Sequence, residues 1–99
     1  MKSVIDGITY DTDQAEQVAA YEAMFSHIDP RNENTYLYRS PEGRWFIAGE
    51  GGSETRWGRY IGGVLCNGKG LKAISEQEAR DWCRAYAAES PKVRHYFPS

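Results

Sequence analysis

The chain has 99 residues, 40% of them hydrophobic and 26% charged, a length and composition that bound it to one ordinary globular domain with one core. Its formal charge of -2 sets it apart from a strongly basic nucleic-acid binder and from a protein that imitates DNA by negative charge alone. No apolar run approaches the roughly 18 residues a membrane span requires, and the N-terminus carries no signal-peptide core, so a cytosolic protein is expected.

In chain order, Asp6-Gly7 between short apolar runs predicts a tight hairpin ending near Tyr10, because glycine takes positive φ at no steric cost. A first helix is expected from "DTDQAEQ", where Asp13 and Glu16 have capping-box spacing. From there Ala15, Val18, Ala19, Glu22 and Phe25 fall at helical spacing, Tyr21 and Ile28 widen the stripe, and Pro30 stops it. "TYLYRSPEGRWFIAGE" predicts a hairpin, with Ser40-Pro41-Glu42-Gly43 as its turn. A glycine-rich stretch, residues 49–63, follows. "GLKAI" is expected to be a strand. "AISEQEARDWCRAYAAE" predicts a second helix, with Ser75 and Glu78 as a capping box and Ala79, Trp82, Cys83 and Tyr86 as its apolar stripe. The expected fold is α+β, a small antiparallel sheet with two helices packed on it, in the order β-α-β-β-(β)-β-α. Its core spans about residues 4–88, and residues 91–99 form a basic, aromatic tail.

Charge is distributed unevenly along this order. Seven acids face two bases from Met1 to Asn34, six bases face three acids from Thr35 to Lys72, and four of each follow. The fold therefore has the means to build an acidic and a basic side, unless packing interleaves them.

Motifs for chemistry are sparse. The stretch "GEGGSE" matches neither phosphate-loop pattern and carries its own acids, so it is first a turn or bulge beside the sheet. Cys66 and Cys83 are expected to be thiols, and with His27 and His95 they lack the close spacing of a structural zinc site; no metal and no cofactor is expected. Cys83 on an apolar helix stripe is a packing residue before it is a nucleophile. Glu50 and Glu54 are the obvious carboxylate pair for acid-base work, but loop solubility accounts for them equally. Arg56, Trp57, Arg59 and Tyr60 combine charge with aromatic faces, the composition of protein hot spots and of stacking platforms. They could equally be a core strand with a wet face.

Three segments, "DGITYDTDQAE", "LYRSPEGRWFIAGEGG" and "AISEQEARDWC", carry a Y-D-T, an L-Y-x-x-x-x-G-x-[FW]-F hairpin ending in G-E-G-G, and an [ST]-x-x-E-A-x-x-W helix. In this order they resemble a group of small proteins from bacterial mobile elements and phages that is similar to some anti-CRISPR proteins, inhibitors of type I systems among them. The resemblance covers about Asp6 to Tyr86 and implies a non-enzymatic protein of the bacterial cytoplasm that binds a CRISPR surveillance complex of the Cascade type. Such a protein blocks DNA docking or nuclease recruitment by occlusion. Two surfaces are candidates for that protein partner: the acids Asp13, Glu16 and Glu22 on the first helix, opposing the cations with which the complex holds DNA, and the segment Arg56, Trp57, Arg59 and Tyr60. A homodimer is an open alternative. The alternatives of another class are a small nucleic-acid-binding or regulatory module, whose affinity would fall steeply with salt, and a small enzyme or toxin with Glu50 or Glu54 as base.

Overall fold

Asp6 and Gly7 both take positive φ, 52° and 78°, the backbone of a two-residue turn whose twist matches the strands it joins. In this computed structural model, which describes residues 1–98, they connect β1 (Lys2–Ile5) to β2 (Ile8–Asp11), with Ile5 opposite Ile8. The expected hairpin is present.

The expected first helix is not. Residues Glu16–Ala23 form a strand, β3, antiparallel to β4 (Glu33–Arg39) from Glu16↔Arg39 to Ala23↔Glu33. The register shifts between Gln17 and Ala19, and this bulge leaves Val18 and Ala19 both buried, consecutively, before alternation resumes at Tyr21 and Ala23. A bulged strand thereby imitates the apolar spacing of a helix. Helix propensity in "EQVAAYEA" is a weak prior that pairing along a whole neighbouring strand overrides. The capping box does not form either. Asp11 Oδ1 instead accepts from the Asp13 N–H at 2.9 Å, and the turn carries the chain from β2 into β3.

Hairpin β4–β5 (β5, Trp45–Gly51) has the expected turn. Gly43 takes φ 87°, its N–H donates to the Ser40 carbonyl, and Ser40 Oγ accepts from Arg44 N–H at 3.0 Å. Beyond a loop over residues 52–58 lie two short strands, β6 (Arg59–Ile61) and β7 (Val64–Cys66), and then β8 (Gly68–Ile74), which pairs antiparallel with β5. The main sheet has the order β3-β4-β5-β8, and β1-β2 and β6-β7 are separate ribbons.

Helix α1 (Glu76–Tyr86) is the one the sequence predicts. Ser75 Oγ accepts from Glu78 N–H, and the Glu78 carboxylate accepts from Ser75 N–H, each at 3.0 Å. These bonds hold the Glu78 carboxyl below its ordinary range. The expected tail is a second helix, α2 (Pro91–Tyr96), followed by Phe97 and Pro98 and seated by buried Val93; Ser99, the end of that predicted tail, lies outside the described residues. Proline opens α2 because its missing N–H is one that no helix bonds. Among the described residues the element order is thus eight strands and then two helices, in place of the expected β-α-β-β-(β)-β-α.

Both helices cover one face of the sheet. Leu37, Trp45 and Ile47 of that face share one cluster with Val18, Ala19, Ala79, Trp82, Cys83 and Val93. On the other face Phe46, fully buried, meets Tyr10 edge-on at 5.3 Å and stacks on Tyr38 at 5.2 Å, so ribbon β1-β2 closes that side. Edge strand β3 is capped by α2. Ser90 Oγ donates to the Val18 carbonyl at 3.2 Å, and Lys92 Nζ donates to the Gln17 carbonyl at 3.0 Å, which satisfies backbone that the bulge takes out of the ladder.

Candidate functional site

The three candidate acids do not form one surface. Asp13 lies in the exposed turn between β2 and β3. Glu16 is on the helix side of the sheet, accepts from the Tyr96 hydroxyl and is 3.5 Å from Lys92 Nζ. The Tyr96 bond, with Lys92 adding to it, holds its carboxyl below the ordinary range. Glu22 is on the opposite face, where it accepts from Tyr36 Oη at 3.2 Å. The expected acidic helix face is replaced by three carboxylates in three environments. Two of them are bonded to their own chain.

The Arg/Trp/Tyr segment divides in two. Arg56 and Trp57 are anchors. Trp57 is half-buried, its Nε1 donates to Thr35 Oγ1 at 2.8 Å, and the Thr35 hydroxyl donates to a Glu33 carboxylate oxygen. Arg56 Nε sits 3.2 Å from that same Glu33 Oε2, and its guanidinium lies over the Tyr86 ring at 5.5 Å. Thr35 is fully buried, and a buried hydroxyl with both a donor and an acceptor partner is a point of strong local specification. Glycine makes room for the indole. A Cβ at Gly70 would lie 3.3 Å from Trp57 Cζ3, and one at Gly68 would collide with the Trp57 carbonyl.

Arg59 and Tyr60, by contrast, are exposed on the ribbon that these anchors hold. Gly62 and Gly63, at φ 58° and 81°, make the tight turn between β6 and β7. Around that turn Tyr60 is 74% exposed, Ile61 54%, Val64 63% and Leu65 41%. Soluble domains rarely leave four adjacent large apolar residues in water on a two-stranded ribbon with both edges open. The sequence reading missed Ile61, Val64 and Leu65. The signal was present in "RYIGGVLC", a Gly-Gly pair between apolar runs.

The same end of the sheet carries a second apolar group. Met24, Phe25 and Ile28, in the connection from β3 to β4, are exposed, and a groove of about 390 Å³ runs between Met24, Ile28 and Asn67, the residue that joins β7 to β8. Asp29, Glu33 and Glu50 border the groove. Asp29 is held at about 2 by its hydrogen bonds from Arg31. The loop after β5 is fastened here by backbone bonds from Gly52 N–H to Asn32 and from Glu54 N–H to Pro30. So the glycine-rich stretch is a fastened loop that leads into the exposed apolar ribbon. Glu50, on β5, is opposite Lys69 of β8, and Glu54 is in the loop.

Among the described residues no group of three or more His, Cys, Asp or Glu is placed to hold a metal ion, and no helix is long and apolar enough to cross a membrane. Comparison with protein-family models, curated proteins and solved structures found no match to this chain.

Proposed function

We propose that the chain is a binding protein that acts by covering a partner's surface with ribbon β6-β7 and the adjoining β3–β4 connection. The observation that carries this reading is the exposure of Tyr60, Ile61, Val64 and Leu65 on a ribbon whose base is clamped by Trp57 and Arg56. Burying such a cluster against a partner is favourable by about 25 cal/mol per Å² of apolar area. A clamped base means that little order has to be imposed on association. Tyr60 and Arg59 are of the residue types that dominate contact energies.

The partner favoured by the resemblance of the three sequence segments is a type I CRISPR surveillance complex, inhibited by occlusion. The test is gel filtration of the purified chain with a purified complex of that type, paired with a target-DNA binding assay. Co-elution near one equivalent, with DNA binding or nuclease recruitment lost, is the expected result. Absence of co-elution with every such complex tried overturns the CRISPR assignment. Unchanged affinity for a partner in an Ile61→Asp/Leu65→Asp variant overturns the ribbon as the contact.

A further inference from the structure

On the side of the molecule formed by the two helices, a cleft of about 330 Å³ lies between α1 and α2. Its apolar lining includes Cys83, Val93 and Phe97, with Ala88 and Pro98 beside them, and Arg80, Arg84 and Arg94 stand around it. Helical spacing explains the arrangement. Arg80 and Arg84 are four residues apart, so they stand one above the other beside Cys83, while Arg94 comes from α2. Among the described residues no acid lines the cleft. Arg94 Nη2 is 3.0 Å from Glu89 Oε2, an exposed pair of little strength. The Arg80 guanidinium lies over the Phe97 ring at 5.6 Å, which orients it without neutralising it.

Three guanidiniums thus border one apolar cleft, Arg80 and Arg84 from α1 and Arg94 from α2. The charge they present to the cleft is of the sign that attracts an anion. Guanidinium forks match carboxylate geometry with two parallel hydrogen bonds. The volume is at the lower limit of small-molecule sites, roughly 300 to 1,000 Å³, and an apolar lining with a few converging polar groups is their usual make-up. We propose that the α1–α2 cleft binds a small carboxylate with an apolar body, the carboxylate held by Arg84 and Arg94 and the body laid on Val93 and Phe97. This site is independent of ribbon β6-β7 and of the function assigned to it.

Calorimetric titration of the full chain with octanoate tests it, with octylammonium and octanol as probes of the same body and different head. Saturable one-site binding of octanoate is expected, at least about tenfold tighter than either control. An Arg84→Gln/Arg94→Gln variant loses at least about tenfold in octanoate affinity while its thermal midpoint is kept, since both side chains are exposed. Ala88→Trp, which places a ring at the cleft's rim, abolishes binding in a protein that still folds. Equal binding of octanoate and octylammonium, no octanoate binding at millimolar concentration, or undiminished binding by the double variant each overturns the proposal. Binding of an acidic peptide without binding of octanoate overturns it too, and assigns the arginines to a protein contact.

Discussion

Thr35 sits on the middle of three paired strands, and its hydroxyl, beside the Arg56–Glu33 pair, joins the glycine-rich loop to the sheet through side chains. Thr35→Val keeps the shape and removes the hydroxyl, which leaves the Trp57 indole N–H and one Glu33 oxygen without that partner. A loss of about 1 to 3 kcal/mol is expected from urea unfolding. A double-mutant cycle with Trp57→Phe should show most of it to be shared. The two thiols give a second test at this scale. Cys83 is 1% exposed, and burial pushes its thiol up to about 11 from an ordinary 9.0, whereas Cys66 is only half-buried. Iodoacetamide at neutral pH should therefore label Cys66 and spare Cys83 until urea opens the fold, as mass spectrometry would count. Because the folded chain holds the Cys83 proton more tightly, its contribution to stability is complete below pH 9 and is lost as pH rises from 9 towards 11. Little of this was visible in the sequence. Trp57 and Arg56 looked like contact residues because aromatic and basic side chains serve contacts and anchors alike, and only the position of Thr35 in the sheet decides between the two.

At the scale of elements, what the sequence could predict depended on how local the determining contacts are. The turns at Asp6-Gly7 and Ser40–Gly43 and the cap at Ser75 are closed by residues within a few positions of each other, and all three formed as expected. Ser75→Ala should accordingly cost about 1 kcal/mol in thermal or urea unfolding, the ordinary value of a serine cap. Strand β3 is determined by β4, whose paired residues lie 10 (Ala23↔Glu33) to 23 (Glu16↔Arg39) positions away, and its bulge erased the period-two alternation that would have announced it. Helix α2 was hidden by shortness. Six residues carry too little periodicity to read, and α2 exists because Val93 and the bonds from Ser90 and Lys92 dock it on β3. Ribbon β6-β7 makes the opposite case, since its exposed side chains contribute almost nothing to the core. Ile61→Asp/Leu65→Asp should shift unfolding free energy by no more than about 0.5 kcal/mol. A large loss of stability in that variant would mean that the ribbon is packed, and would remove the basis for assigning it to a partner.

At the scale of the whole molecule, folding partly offsets the uneven charge of the sequence. Two acids of the first third are met by bases from later segments, Glu33 by Arg56 and Glu16 by Lys92. Outside these pairs stand the exposed apolar group at one end of the sheet and the arginine cleft on the helix side. This arrangement predicts how association responds to salt. A contact made by Tyr60, Ile61, Val64 and Leu65 buries apolar surface and releases few counterions, so the partner's Kd should change by less than about threefold between 50 and 200 mM salt, with a negative heat-capacity change in calorimetry. A nucleic-acid module that neutralised six or more phosphates would instead lose roughly a thousandfold or more in affinity over the same range. The two readings are separated by one titration at two ionic strengths, because a steep salt slope would require the scattered cations Arg44, Arg59, Lys69 and Lys72 to act together on one phosphate backbone. That outcome would replace occlusion through the ribbon with direct binding of nucleic acid.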